Sequence, residues 1–180
     1  LNREVALKQI QGRFGKEPSC KSRFLLEAEV TVALEHPGIV PVYSLGSHPD
    51  GRPYYAMRFI RGDSLKDAIE RFHAAESQNR DPGQRSLDLR ALLGRFIDVC
   101  NAISYAHSRG VLHRDLKPGN IMLGKYGETL VVDWGLAKPM GMPSTEASID
   151  GERTLTLSSE SLASQTLVGA AVGTPQFMSP

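Results

Sequence analysis

Cysteine is scarce in this chain of 180 residues, which holds only Cys20 and Cys100. Two thiols so far apart in sequence build neither a disulfide framework nor a cysteine metal site, so burial has to hold the core. Net charge is nearly absent as well. Lysine and arginine number 21 against 20 acidic residues, a formal charge of +1, which gives no basic face for nucleic acid or an anionic membrane surface. No apolar run approaches the roughly 18 residues of a membrane span, and no signal-peptide pattern opens the chain. The expectation is a soluble segment in a reducing, cytoplasmic compartment, with no membrane contact of its own. A longer parent could still be anchored through a segment not present here. Both ends look cut, because the first residue already runs into a strand and the last is the proline of Ser179-Pro180. What the chain does have is apolar mass, and a hydrophobic fraction of 41% suffices for one sizeable core.

Residues 4–10 alternate with a period of two, which predicts a strand with Ala6 and Lys8 on one face and Val5 and Leu7 on the other. Standing alone, a lysine there reads as a solvated edge residue. Gln11 to Cys20, with Gly12, Gly15 and Pro18, reads as a loop. Ser22 to Glu35 predicts a helix whose stripe carries Phe24, Glu27, Ala28, Thr31 and Leu34, ended by His36-Pro37-Gly38. Glu27 lies within that largely apolar stripe. An unpaired buried carboxylate is expensive, so either it has a cationic partner or it edges the stripe and reaches solvent.

Two short apolar runs, Ile39 to Leu45 and Pro53 to Ile60, flank a turn-rich segment and predict a hairpin. Asp63 or Ser64 can then cap a helix running to about Glu76. Ser77 to Ser86, broken by Asp81-Pro82-Gly83, reads as a connecting loop. Leu87 to Ser108 carries Leu89, Leu92, Leu93, Phe96, Ile97 and Cys100 at helical spacing and predicts a long core helix. Cys100 and His107 read there as packed or structural rather than catalytic residues, and the sequence assigns no chemical role to His48, in a turn, or to His73, in a helix.

The densest chemistry lies between residues 111 and 135. His113-Arg114-Asp115-Leu116-Lys117-Pro118-Gly119-Asn120 is followed, after a short hairpin through Gly124-Lys125-Tyr126-Gly127, by Asp133-Trp134-Gly135. Phosphoryl transfer asks for a base to orient a hydroxyl, a cation near the moving group and hard oxygens for a metal ion. The pattern H-R-D-x-x-x-x-N followed by D-x-G resembles the catalytic core of the protein kinases, and Val5-Ala6-Leu7-Lys8 resembles their strand-lysine signature. The likeness is to eukaryotic-like bacterial serine/threonine protein kinases and covers nearly the whole chain. It extends to Arg23-Phe24-Leu25-Leu26-Glu27-Ala28, to Leu34-Glu35-His36-Pro37-Gly38-Ile39-Val40 and to Gly173-Thr174-Pro175.

The resemblance implies an α+β, protein-kinase-like two-lobed fold, present in part. Residues 1–60 would form most of a small antiparallel-sheet N-lobe with its helix and hinge. Residues 61–180 would form the first part of a mainly helical C-lobe. It implies ATP and protein substrates as partners and Mg2+, or Mn2+ in its place, as the metal. Asp115 would orient the substrate hydroxyl, Lys117 would neutralise the phosphoryl charge, and Thr174 would contact both. Asn120 and Asp133 would hold the metal. Lys8 would pair with the nucleotide phosphates and with Glu27. Ala6, Met57, Phe59 and Ile60 would surround the adenine, Met57 guarding the back of the pocket. Asp-Leu-Lys-Pro-x-Asn and the Gly-Thr-Pro stretch point to serine/threonine rather than tyrosine specificity.

Within this family the loop histidine, His113, packs against the residue after the metal-binding aspartate, and an internal spine would run through Val42, Thr31, Trp134 and His113. Trp134 stands where phenylalanine is usual, and the small Thr31 could make room for it. Arg114, next to the catalytic aspartate, would bind a phosphorylated residue of the activation segment. Ser158, Ser159, Ser161, Ser164 and Thr166 are the candidates, with self-association a route to autophosphorylation. Two departures weigh against strong activity. The chain starts after the place of the family's Gly-rich loop and ends before its later helices, so residues 1–180 alone are expected to transfer weakly or not at all. The alternative reading is a pseudokinase or scaffold module that binds nucleotide or protein without transfer.

Overall fold

The structure is a computed structural model that describes residues 3–12, 17–75, 81–139 and 173–178. Strand β1 (Val5–Gln9) pairs antiparallel with β3 (Pro53–Arg58), which pairs on its other side with β2 (Val42–Ser47), giving a three-stranded sheet of order β1-β3-β2. The β2–β3 connection closes as expected: His48 N–H donates to the Arg52 carbonyl at 2.9 Å, and the Asp50 carboxylate takes the Arg52 guanidinium at 2.6 Å. Along β1 the alternation holds, since Ala6 and Lys8 are half-buried while Val5, Leu7 and Gln9 are exposed.

Helix α1 (Pro18–Ala33) lies on this sheet. Every residue of its expected stripe is buried, from Phe24 through Glu27, Ala28 and Thr31 to Leu34. The helix begins four residues earlier than the periodicity suggested. Pro18 reads as a breaker, but at the first helical position its missing N–H is one the helix would leave unbonded anyway.

The second part of the chain opens with β4 (Gly62–Ser64) and α2 (Leu65–Ala74). Ser64 is the N-cap: its hydroxyl accepts from Asp67 N–H at 3.1 Å, and the Asp67 carboxylate returns the bond to Ser64 N–H at 3.0 Å. A strand at 62–64 is not foreseen by the sequence. It exists because β4 adds to β6 (Ile121–Gly124), itself paired with β7 (Thr129–Val131), and Gly62 is required there because a Cβ would overlap the Leu123 carbonyl.

Helix α3 runs Pro82–Ser108, again starting before its expected beginning at Leu87. Asp81 caps it, accepting from Gln84 N–H at 3.0 Å, and Pro82 takes the first position. Its buried residues are Val99, Ala102 and Ala106, with Leu92 and Ile103 partly buried. Leu89, Leu93, Phe96 and Ile97 are exposed, as are Cys100 and His107, which corrects the expectation that all of these are core residues. After α3 come β5 (Val111–Leu112), a one-turn 3-10 helix at Pro118–Asn120, the β6–β7 hairpin and β8 (Lys138–Pro139), which pairs with β5.

Two apolar clusters organise the packing. The larger joins Leu26, Val30 and Leu34 of α1 to Val99, Ala102 and Ala106 of α3 and to Ile121, Val131 and Trp134. The smaller lies under the first sheet and contains Ile10, Phe24, Ala28 and Tyr55, with Val42 and Met57 against it. Helix α1 therefore contributes to both clusters, tying the sheet to α3 and the β6–β7 hairpin. Val40 N–H bonds the Val131 carbonyl at 3.2 Å, and Val131 N–H bonds the Gly38 carbonyl at 2.8 Å, which links the two parts a second time. Among the described residues no helix is long and apolar enough to cross a membrane.

Candidate active site

Two groups of charged side chains meet where the sheet, α1 and the β6–β7 hairpin come together. In the first, Lys8 projects from β1 and its ammonium pairs with Glu27 of α1 and, at 2.8 Å, with Asp133 Oδ1. Glu27 is 6% exposed, and the Lys8 ammonium gives this buried carboxylate the cationic partner it needs. The solvent-edge reading of Glu27 is thereby set aside. Burial works to lower the Lys8 pKa, but the Glu27 charge and the bonds to both carboxylates outweigh it, and the net direction is upward. Lys8 stays an ammonium with three donors, two of them engaged.

Asp133 sits just beyond β7 with φ at +63°, a left-handed backbone that a non-glycine residue rarely adopts. The hairpin explains its place. Val132 N–H donates to the Asn120 carbonyl at 2.9 Å, so the residue before β6 and the residues after β7 are held side by side.

In the second group, Asp115 is the hub. Lys117 Nζ donates to its Oδ2 at 2.7 Å and to Thr174 Oγ1 at 2.8 Å, and Thr174 Oγ1 donates to Asp115 Oδ1 at 2.6 Å. Asn120 Nδ2 donates to the Asp115 carbonyl at 2.9 Å and to Oδ2 at 3.2 Å, which leaves the Asn120 Oδ1 oxygen free of this network. Burial works to raise the Asp115 pKa, yet the bonds from Lys117 and Thr174 prevail and hold the carboxyl below its ordinary range. Gly173 delivers Thr174 to this point. It has φ at +125°, and a Cβ there would stand 2.7 Å from the Arg114 carbonyl.

The supporting residues lie around these two groups. His113 packs its ring 4.6 Å from Trp134, tilted by 54°, and its Nε2 bonds the Val132 carbonyl at 3.2 Å. Burial pushes its pKa down. Trp134 is 1% exposed and joins the larger cluster, with its indole N–H unpaired among the described residues. Thr31 is buried and bonds back to the Glu27 carbonyl at 2.7 Å, whereas Val42 belongs to the smaller cluster. Arg114, also at φ +63°, donates from Nε to the Leu136 carbonyl at 2.7 Å. Burial first, and then the charge of Arg23, holds its pKa down.

Ala6 and Met57 face each other across the β1–β3 ladder, both half-buried. Phe59 is exposed and, with Ile60, lines a recess of about 270 Å³ shared with Arg61, Lys125 and Tyr126, whose lining includes neither Lys8 nor Asp133. Ser158, Ser159, Ser161, Ser164 and Thr166 lie outside the described residues.

Two contacts were not legible beforehand. Tyr55 donates its phenol to Glu27 Oε1 at 2.7 Å, and Arg58 at the end of β3 pairs with Glu128 of the hairpin at 2.5 Å. Only the register of β1 against β3, which sets Tyr55 opposite Lys8, points to the first, and the second joins β3 to a hairpin of a different sheet.

A carboxylate held by an ammonium and a hydroxyl, and a second ammonium shared by two carboxylates, lie between a sheet lobe and a helical lobe, a set of groups chemically suited to phosphoryl transfer. The comparison with known families agrees: the protein kinase domain matches residues 1–180, and the chain belongs to that family. It is 42% identical over 99% of its length to serine/threonine-protein kinase PknD of Protochlamydia amoebophila and 40% identical over 99% to PknD of Chlamydia pneumoniae. The PknD of Chlamydia muridarum is likewise 40% identical over 99% of the chain. The chain spans only 18–19% of the length of these relatives.

Proposed function

We propose that the protein carrying this chain transfers the γ-phosphoryl group of ATP to serine and threonine hydroxyls of protein substrates. The observation that carries this is the Asp115–Lys117–Thr174 triangle, in which one ionised carboxylate is bonded by an ammonium and by a threonine hydroxyl. Asp115 accepts the hydrogen bond of the incoming hydroxyl and orients it. Lys117 spends two donors inside the triangle and keeps one for the phosphoryl oxygens. Lys8 likewise keeps one donor for the α- and β-phosphates. Ala6 and Met57, with Phe59 and Ile60 of the hinge, take the adenine. The serine/threonine-protein kinase names of the PknD relatives support the serine/threonine assignment.

The donor set suits a hard divalent cation. Asp133 has an oxygen beyond the one on Lys8, and Asn120 has its amide oxygen free of the Asp115 network. Magnesium keeps water and substrate oxygens in its shell, so it needs few protein oxygens. Bound there, Mg2+ (or Mn2+) would screen the phosphate charge, with Asn120 and Asp133 as its protein ligands.

In this reading residues 1–60 belong to the N-lobe and residues 61–180 to the C-lobe of a cytoplasmic kinase domain. Arg114, with the charge of Arg23 nearby, is the receptor for a phosphate on the activation segment, placed among Ser158, Ser159, Ser161, Ser164 and Thr166 by autophosphorylation between self-associated copies. Residues 1–180 alone transfer weakly.

The test is transfer from labelled ATP with magnesium by the longest expressible polypeptide containing residues 1–180, beside Asp115→Asn. Label in the parent and a loss of at least about a thousandfold in the variant is the expected result. ATP binding with no label in either would overturn it in favour of a binding module, and robust turnover by residues 1–180 alone would overturn the proposed weakness of the segment.

A further inference from the structure

Resting on the proposed roles of Lys8 and Glu27, we infer that Tyr55 is a positioning residue of the reaction, a donor on the sheet that holds the α1 carboxylate where Lys8 needs it.

Three observations carry this. Tyr55 is the β3 residue directly opposite Lys8 in the β1–β3 ladder, so their side chains emerge from adjacent strands. Its phenol donates to Glu27 Oε1, the same oxygen that receives the Lys8 ammonium. Its ring cannot wander: it is 3% exposed and lies 5.2 Å from the Phe24 ring, in the cluster with Ile10 and Ala28. The clamp is therefore rigid on the sheet side and polar on the helix side.

The chemistry gives the arrangement a purpose. Lys8 alone would hold Glu27 through a flexible four-carbon stem, and that ammonium is also drawn to Asp133 and, in turnover, to phosphate. A tyrosine phenol competes for neither. Burial and then the Glu27 charge raise its pKa, so it remains a donor. Glu27 is thus fixed to the sheet by a bond that does not change when Lys8 engages nucleotide, and α1 is kept inward before ATP arrives. Pure core packing would not need the hydroxyl: a phenylalanine would fill the same space without burying an oxygen.

The experiment compares Tyr55→Phe, Glu27→Gln and the double variant in the longest expressible polypeptide containing residues 1–180. Tyr55→Phe should lower kcat about tenfold with the ATP KM within about twofold, because the lost contact aligns Lys8 rather than binding adenine. In the Glu27→Gln background the same change should alter kcat by less than about twofold. Hydrogen exchange of the nucleotide-free protein gives a readout independent of activity: amides of α1 should lose protection in Tyr55→Phe while those of α3 do not. Wild-type kcat and unchanged α1 protection in Tyr55→Phe, or an equal fall of kcat in both backgrounds, overturns the inference. If Glu27→Gln itself leaves kcat untouched, it is the reading of the Lys8–Glu27 pair that fails, which separates the two.

Discussion

His113 shows how one buried side chain can write a pH dependence into the catalytic loop. It is 3% exposed, and desolvation holds its folded pKa below the ordinary 6.5 despite the Val132 carbonyl and the charges of Asp133 and Asp115. The unfolded chain therefore takes up a proton before the folded one does. Stability from this group is complete above pH 6.5 and is lost as the pH falls toward the folded pKa. Urea midpoints measured at about pH 7.5 and about pH 5.5 should drop further for the wild type than for His113→Phe. An equal drop in the two proteins would locate the acid sensitivity elsewhere. Its ring partner makes a second case. Trp134→Phe removes volume from a fully buried site, which costs, but it also removes an indole N–H unpaired among the described residues. A net loss of about 1–2 kcal/mol in thermal or urea unfolding is expected. A gain in stability and activity together would mean that Trp134 is not accommodated by the small Thr31 beside Glu27.

The elements of the fold were legible to different degrees, and the reasons are local. The stripe of α1 followed from its period because that helix has one buried face, and the β2–β3 hairpin followed from the turn chemistry between two short apolar runs. The two long helices begin earlier than their periodicity predicts for a shared reason: Pro18 and Pro82 sit in loop-like sequence, yet proline is well suited to the first helical turn. For α3 the faces were also exchanged. Its large apolar residues marked a core stripe, but the described packing uses the small ones, Val99, Ala102 and Ala106, where close approach to the β6–β7 hairpin leaves little room. The candidate site residues from Lys8 to Asp133 came from the resemblance of their motifs, while the place of Tyr55 came only with strand register and that of Arg58 only with the packing of β3 beside the hairpin. The cap makes the early start of α3 testable. Asp81→Ala should destabilise the protein by about 1 kcal/mol in urea unfolding, whereas Asp81→Asn should be nearly neutral. If both variants matched the wild type, the helix would start at Leu87 after all.

At the scale of the whole molecule, the exposed face of α3 is the largest unexplained feature. Leu89, Leu93, Phe96 and Ile97 recur at i, i+4, i+7 and i+8, roughly a third of a turn from the buried stripe, and are 46–59% exposed. A contiguous apolar face of this kind drives association in water. Residues 1–180 expressed alone should therefore self-associate, and Leu93→Glu with Phe96→Glu should return them to a monomer by light scattering. Because both positions are exposed, that pair should change the stability of the monomer by no more than about 0.5–1 kcal/mol. The same pair separates two explanations of the face. In a longer polypeptide whose added sequence packs on α3, burying two carboxylates without partners would cost several kcal/mol, and unfolding would show it. A longer polypeptide as tolerant of the pair as residues 1–180 would mean that α3 keeps this face bare.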